Sequence, residues 1–533
     1  MKTKIVQRIS SVVLMVIIVG CTDLSPELVS ETTGDELLND ARARILNDIT
    51  EAEGIIQPAY DGLYQFLGER NIYALTEGST DEMVTPTRGT DWGDNGIWLA
   101  LHQHKWTPDH FIVQNGWDDL RTGSARAYEA IDLLEKIAGD DQALLFELEP
   151  FIAEARFLRA YYSWHFIDLF GQTPVLDENL EEDLLQRGQA VEFVINELEE
   201  IVPILPDASS STYGKVNRQT AQALLAKVYL NKHIYEDREV ENSDLDKVIG
   251  FCDEVITSGN FQLASDYFAM FDQHNESSTE TLLVLQNSGD FQRGFQAQTR
   301  ALMTLHYYMN AGGVLEPWNG MCSTEDFFNK WDADKNLTNG VATSDSRFTD
   351  DRYFPTLALN LGFITGQQYK VNGDPLTDRK GNPLIITAEI ESITQAKEYE
   401  GARVLKWAPD TDAAYQSWAD NDIALLRYAD VVLMKAEAMW RKGNSGGAMS
   451  ILNNLRSVRG AANLTEVSAQ TILDERGFEL YWEGYRRTDL VRFGQFTQGT
   501  WFGKEVSAET YNLYSIPSVA LSAFRKLKQN PGY

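Results

Sequence analysis

Apolar residues recur every three and four positions over long stretches at both ends of this chain. Between residues 151 and 169, for example, Ile152, Ala155 and Leu158 share one face if the segment is helical. Gly171 follows directly, in a position where a glycine commonly ends a helix. A helix with one apolar face must pack that face against another element, so the pattern predicts an assembly of packed helices.

The same spacing predicts two groups of helices. They lie at about 47–67, 113–138, 143–170, 186–202, 217–235 and 244–258, and then at about 421–442, 445–459 and 469–493. The turns between neighbours are short, so we expect adjacent helices to be antiparallel. Hairpins that recur at intervals of tens of residues are typical of tetratricopeptide-like repeats. The fold prediction is therefore mainly α, with a single helical-repeat domain over 46–533.

The predicted C-terminal helices contain charged residues within otherwise apolar segments. Residues 423–440 are apolar nearly all round, which predicts a central helix buried on two sides. Asp430 would then need a buried partner, and Arg476 is one candidate. Glu483 and Arg486 have the spacing of an ion pair within one helix. We interpret these charges as structural ion pairs.

Two stretches interrupt the helical pattern, at about 76–110 and 290–420. The second is rich in Gly, Asn, Asp and Tyr, and residues 376–384 have the composition of a turn between two extended pieces. We therefore predict a loop-rich, partly β inserted region. Long loops on a rigid scaffold commonly carry binding sites, so both stretches form the predicted ligand region.

The N-terminus has the composition of an export signal. Three basic residues precede an apolar run at 9–20, which is too short to span a bilayer as a helix, and Cys21 follows it. A signal of this form that ends on cysteine resembles a lipoprotein signal, in which the cysteine is acylated; an ordinary secretory signal is the alternative. We predict a signal peptide at 1–20, lipidation of Cys21, and a lipidated tether over 21–45.

Composition excludes several classes of protein. The net charge is −33, which argues against nucleic-acid binding and against close contact with an anionic bilayer. The apolar fraction of 43% is large enough for extensive cores, so the chain is not disordered. After Cys21 the chain contains only Cys252 and Cys322, which we expect to be unpaired.

Three motifs that suggest catalysis or metal binding are incomplete. Residues 443–447 match G-x-S-x-G, but a helix precedes them where a nucleophile elbow requires a strand. His102 and His104, with His110 nearby, lack a third ligand at a diagnostic spacing, and residues 332–336 begin like a calcium loop without its glycine. No carboxylate pair is singled out for glycoside hydrolysis. We expect no enzymatic activity, no metal and no cofactor.

Several segments resemble the SusD/RagB family of nutrient-uptake surface lipoproteins. They are LRYADVVLMKAEA at 426–438, ILNNLRSVRGA at 451–461, ILDERGFEL at 472–480 with EGYRRTDL at 483–490, QNPGY at 529–533, and TDEMVTPTRG at 80–89. The resemblance extends from Cys21 to Tyr533. It implies tetratricopeptide-like helical pairs with a loop-rich ligand region. It also implies a cell-surface lipoprotein of the outer membrane that acts as the lid of a SusC-like TonB-dependent transporter and binds oligosaccharide, without catalysis.

The candidate site combines both predicted loop regions. A sugar site requires exposed aromatic faces beside amide, carboxylate and guanidinium groups. From the two loops we select Asp81, Arg88, Trp92, Asn95, Tyr308 and Trp318. The family resemblance places an aromatic arc with neighbouring Asn and Arg in these regions. Trp92 could instead fold back over the core. Two other functions stay open, a peptide-binding lid of the RagB type and, less favoured, a surface glycosidase.

Overall fold

The computed structural model describes residues 34–177, 180–287, 295–335, 345–411 and 419–533. The predicted signal peptide, Cys21 and most of the predicted tether lie outside these ranges. Within them, no helix combines the length and the apolar character that a membrane span requires.

Nine helices precede residue 260 in the described part of the chain. They are α1 (Gly34–Asn47), α2 (Ala52–Leu63), α3 (Ile72–Glu77), α4 (Ile97–His102), α5 (Phe111–Ala138), α6 (Gln142–Leu169), α7 (Arg187–Ile201), α8 (Arg218–Tyr235) and α9 (Asn242–Thr257). From α5 to α9, each helix packs along the next one in the chain. This stack of helical hairpins confirms the predicted tetratricopeptide-like architecture.

Helix α6 illustrates how the local sequence produces this stack. Asp141 caps its N-terminus, where the carboxylate accepts a hydrogen bond from the backbone N–H of Leu144 at 3.1 Å. Its apolar face is buried against α5 and α7. Gly171 adopts a φ of +71° directly after the helix, a conformation that glycine adopts without strain.

The middle of the chain is loop-rich and contains three further helices and several short strands. The helices are α10 (Phe295–Thr304), α11 (Glu325–Lys335) and α12 (Phe354–Leu357). The strands of the whole described chain are β1 (Met83–Val84), β2 (Gln172–Leu176), β3 (Glu182–Gln186), β4 (Thr281–Leu285), β5 (Cys322–Ser323), β6 (Thr349–Asp350), β7 (Leu361–Ile364), β8 (Gly366–Gln367), β9 (Ile385–Ile386), β10 (Arg403–Leu405) and β11 (Ile423–Arg427). They form antiparallel pairs, except that β10, β7 and β6 make one three-stranded sheet. The predicted partly β insertion is confirmed.

The C-terminal helices are α13 (Tyr428–Arg441), α14 (Ser445–Val458), α15 (Ala469–Leu480), α16 (Arg486–Arg492), α17 (Gln495–Gln498) and α18 (Ser518–Ala523). Two predicted boundaries are wrong. The helix predicted to begin at 421 is preceded by β11, which pairs with β4, so this apolar run is half strand. The helix predicted over 469–493 is interrupted after Leu480, where Trp482 and Gly484 have φ values of +60° and +90°.

Asp430 lies in a buried network of ion pairs, as predicted. Its carboxylate contacts the Lys227 ammonium at 2.5 Å and the Arg476 guanidinium at 2.8 Å. Glu483 differs from the prediction, because it lies in the turn before α16 and pairs with Lys406 and Arg427 instead of Arg486. The helix break turns its side chain away from its sequence neighbours.

Two smaller predictions can also be compared with the structure. Cys252 and Cys322 are buried and unpaired, as expected.

The sequence predicts a tether over 21–45, but α1 occupies the last part of that segment. The Arg42 guanidinium on α1 donates hydrogen bonds to the carbonyls of Ile137 and Ala138 at the end of α5, which docks α1 on the helical stack.

Candidate functional site

A tight loop at 88–97 presents the first aromatic residue of the candidate site. Arg88 and Asp91 exchange two backbone hydrogen bonds of 3.0 Å and close a turn. Trp92 follows with a φ of +61°, which is rare for a bulky residue and marks an imposed backbone conformation. Asn95 and Gly96 also have positive φ values, and Asn95 is exposed. The loop therefore holds Trp92 in a fixed direction.

Trp92 meets the second predicted tryptophan. Its indole N–H donates to the carbonyl of Trp318 at 2.9 Å. The ring lies so close to Gly320 that a Cβ there would come within 2.3 Å of it, so only glycine fits at this position. Both tryptophans are half-buried and pack against the main core. Trp92 is thus partly packed and partly open to solvent.

Helix α10 supports the segment that carries Trp318. The backbone N–H groups of Trp318 and Gly320 donate to the carbonyls of Leu302 and Met303 at 2.7 and 2.8 Å. These bonds satisfy carbonyls at the end of the helix, where no intrahelical donor remains. The Trp318 segment is therefore anchored on a regular element instead of being held by loop contacts alone.

Tyr307 and Tyr308 follow α10 and extend the surface. The Tyr307 hydroxyl donates to the Asp91 carboxylate and so joins the two loop regions. Tyr308 is 43% exposed and lines a groove of about 280 Å³ with Asn310, Tyr369 and Asn372. The rings of Tyr369 and Phe354 are also exposed and lie 6.2 Å apart, nearly perpendicular.

We call this set of side chains the aromatic surface; it consists of Trp92, Tyr307, Tyr308, Trp318, Phe354 and Tyr369.

Charged groups lie beside the aromatic surface. The Arg379 guanidinium stacks on the Tyr307 ring at 4.2 Å and contacts Asp91 at 3.2 Å and Glu398 at 2.5 Å. The hydrogen bond from Tyr307 holds the pKa of the Asp91 carboxyl below its ordinary value, and Arg379 adds to this effect. Burial lowers the pKa of His306 to about 4, so its imidazole is neutral at neutral pH. The site therefore offers an ionised carboxylate and a guanidinium next to exposed rings.

Two of the six predicted site residues are buried and their side chains are not exposed at this surface. Asp81 is 5% exposed, and both of its carboxylate oxygens contact Arg486, at 2.7 and 2.8 Å. Arg88 is 2% exposed and donates to the carbonyl of Lys397 and to the Cys322 sulfur. Both side chains are engaged in connecting distant parts of the fold. The structure brings Trp92 and Trp318 into contact, while Asn95 and Tyr308 are exposed on the two loop regions that carry them.

Sequence reasoning missed Phe354, Tyr369 and Arg379. The turn at 376–384 was visible from its composition, and the structure places it there, with Asp378 accepting backbone hydrogen bonds from Lys380 and Asn382. Nothing local indicated that this turn returns to the Asp91 loop. Only the folded chain brings Arg379 to within 3.2 Å of Asp91.

The histidines that could have bound a metal have other partners. His102 and His110 contact the carbonyls of Phe502 and Ile97 at 2.7 and 3.0 Å, and His104 contacts the carbonyl of Ser79 at 2.9 Å. Burial lowers the pKa of His104, in keeping with a neutral ring that completes local hydrogen bonding. Across the described ranges, no three His, Cys, Asp or Glu side chains are grouped to hold a metal ion.

The fold and the surface together define a class: helical-repeat proteins whose inserted loops carry an exposed aromatic surface. A family model described as SusD family matches residues 263–533, and a second, described as starch-binding associating with outer membrane, matches residues 37–230. The chain belongs to the SusD family.

Individual relatives agree with this assignment. The chain is 27% identical to the starch-binding protein SusD of Bacteroides thetaiotaomicron over the whole of both chains. Its fold resembles a SusD superfamily protein of Parabacteroides distasonis, with a TM-score of 0.70, 19% identity, and coverage of 90% of this chain and 98% of the other. It also resembles surface glycan-binding protein A of Bacteroides thetaiotaomicron in complex with laminarihexaose, with a TM-score of 0.64, 18% identity, and coverage of 93% and 99%.

Proposed function

We propose that this protein binds an oligosaccharide at the aromatic surface and does not transform it. The observation that carries the proposal is the exposure of Tyr308 and Tyr369 in one groove. Tyr307 and Arg379 connect this region, through Asp91, to the loop that carries the half-buried Trp92 and the exposed Asn95. Sugar rings have flat C–H faces that pack on aromatic rings, and their hydroxyls exchange hydrogen bonds with amide, carboxylate and guanidinium groups. The starch-binding relative and the laminarihexaose complex support this ligand class.

The two other candidate functions fit this site less well. A peptide commonly binds by adding a strand to a sheet edge, whereas the strand nearest Tyr369, β8, is two residues long. A glycosidase requires one protonated carboxylic acid. Although burial raises the pKa of Glu398, its bonds to Arg379 outweigh this effect and leave the pKa below its ordinary value. Because Asp91 is likewise held ionised, neither carboxyl is suited to act as a general acid.

Tyr308→Ala tests the proposal. The substitution removes an exposed ring, and we expect it to weaken oligosaccharide binding by about 1–3 kcal/mol, by analogy with base stacking on aromatic side chains. Isothermal titration with a panel that includes fragments of starch and of laminarin measures the change. The matched control is Phe146→Ala, which removes a ring that is 72% exposed on α6, far along the chain from the aromatic surface. Equal weakening by both substitutions, or none by Tyr308→Ala, would contradict the proposed site.

We further propose that Cys21 is acylated and anchors the protein to the outer membrane, where it acts as the lid of a SusC-like TonB-dependent transporter. The apolar run that ends at Cys21 and the family model associated with the outer membrane support this location. Acyl chains retain a protein at a bilayer without a spanning helix. The lid arrangement also explains why a non-catalytic protein would present a ligand surface outside the cell.

Cys21→Ala is expected to abolish labelling with radioactive palmitate and to release the folded protein from the membrane fraction, because the substitution removes the acylated thiol. Cys252→Ala serves as the control, since Cys252 is buried and forms no disulfide. Unchanged membrane retention of the Cys21→Ala protein would refute the anchor. From the same detergent-solubilised membranes, the wild-type protein should co-purify with a large barrel.

A further inference from the structure

A cavity of about 60 Å³ lies inside the scaffold, away from the aromatic surface. Its lining comes from α3, α6, α10 and the C-terminal helices, so residues from all parts of the chain meet there. A single water requires on the order of 10–15 Å³ measured in this way, so the cavity has room for several small occupants.

Unsatisfied hydrogen-bond donors line this cavity. Five side-chain atoms have no hydrogen-bond partner among the described residues: Tyr73 Oη, His165 Nε2, Arg300 Nη1, Trp407 Nε1 and Arg476 Nη1. Each of these side chains is more than nine-tenths buried. Buried polar atoms are almost always satisfied in native proteins, and those of Arg300, Trp407 and Arg476 can only donate, so the group indicates an occupant that accepts hydrogen bonds.

Arg300 also carries a buried charge without a close partner, because Glu69 and Glu77 act on its guanidinium only from beyond ion-pair distance. No carboxylate of the described residues lies within ion-pair distance of its guanidinium, which is 3% exposed. It stacks on the Tyr73 ring at 3.3 Å, an interaction that offsets part of the desolvation cost but leaves the net charge. Burial accordingly lowers the pKa of Arg300. A bound anion would supply both the missing hydrogen-bond acceptors and a partner for the buried positive charge.

The two carboxylates that line the cavity already have cationic partners. Glu483 pairs with Lys406 and Arg427, and Asp489 pairs with Arg476 and Arg492. A water molecule can accept from these donors, but it brings two protons of its own that need acceptors. An anion accepts from all sides and brings no proton.

We propose that this cavity binds a small monovalent anion of the size of chloride, with Arg300 as its principal counter-charge. The donors of Tyr73 and Trp407, whose rings lie beside the Arg300 guanidinium, complete its coordination, and waters fill the remaining space. Because Arg300 lies on α10, the ion ties the helix that anchors the Trp318 segment to the helical stack. The proposal does not rest on the proposed oligosaccharide function.

Bromide replaces chloride and can be located by anomalous diffraction, which allows a direct test. Crystals of the full chain grown in sodium bromide should show an anomalous peak in the cavity, within hydrogen-bond distance of Arg300 Nη1. Thermal unfolding should occur at a higher temperature in chloride or bromide than in gluconate of equal ionic strength, because gluconate is too large for the cavity. The midpoint halide concentration of this stabilisation measures the affinity.

Arg300→Met should raise that midpoint at least tenfold, because it removes the charge and keeps the side-chain length. The control is Arg121→Met on α5, which breaks an exposed ion pair with Glu182 and should leave the midpoint halide concentration unchanged. If Arg300→Met does not fold, Trp407→Phe decides the question: it removes one donor, keeps a ring, and should raise the midpoint about threefold. The proposal is overturned by bromide peaks on the surface only, by equal stabilisation in gluconate, or by a midpoint that is unchanged in the variant that folds.

Discussion

Replacing Asp430 by alanine is expected to lower the free energy of unfolding by roughly 3–5 kcal/mol. The Asp430 carboxylate lies between Lys227 at 2.5 Å and Arg476 at 2.8 Å, and all three side chains are almost fully buried. Burial alone would raise the pKa of Asp430, but the two cations outweigh it and hold the pKa below its ordinary value. Without the carboxylate, two buried cations lose a partner at once.

Urea denaturation at neutral pH measures this loss. Asp430→Asn separates charge from volume, and we expect it to be nearly as destabilising as alanine because Lys227 loses its carboxylate partner and Arg476 keeps only Asp489. The control is Asp40→Ala on α1, which breaks an exposed ion pair with Arg44 and should change stability by no more than about 0.5 kcal/mol. A similarly small change for Asp430→Ala would mean that the network is open to solvent and that the described packing of α13 is incorrect.

The helical frame was predictable from sequence because each helix carries its own signal. The apolar spacing and end signals of α5 to α9 are local, and the structure places these helices close to the predicted bounds. Residues 423–427 were misassigned because a short apolar run fits a buried strand as well as a buried helix. Its partner strand, β4, lies far back in the chain, with Ala424 opposite Val284. This pairing depends on the tertiary fold, so the sequence of residues 423–427 alone could not predict it.

The candidate site was predictable only in part, for the same reason. Trp92 stood out because a tryptophan in a glycine-rich loop has little local packing. Asp81 and Arg88 lie in the same region and looked equally available. Their partners, Arg486 and the carbonyl of Lys397, are hundreds of residues away in sequence, so no local pattern revealed that both are buried. Burial is decided by tertiary contacts, which is why neighbouring residues have different roles.

Trp92→Ala is expected to weaken oligosaccharide binding by about 2–3 kcal/mol, on the order of 30- to 150-fold in Kd. This effect should exceed that of Tyr308→Ala because two contributions are lost together. One is the ring face, and the other is the indole N–H that bonds the Trp318 carbonyl at 2.9 Å and fixes the second tryptophan. Trp92→Phe, which keeps a ring without the N–H, should fall between wild type and alanine.

Titration calorimetry measures these affinities, and urea denaturation establishes how much of each variant is folded. Trp440→Ala is the matched control, because this half-buried tryptophan lies near the end of α13, away from the aromatic surface. We expect it to bind like wild type. If Trp92→Ala unfolds the protein while its folded fraction binds normally, Trp92 is part of the core and the site lies elsewhere.

The most direct measurement is a crystal structure of the protein with the oligosaccharide that binds best in the titration panel. We predict sugar rings packed on the faces of Tyr308 and Trp318, with hydroxyls bonded to Asn95 or Arg379. Binding at a surface without these side chains, insertion of an extended peptide at the same place, or failure of every oligosaccharide to bind would contradict the proposed function.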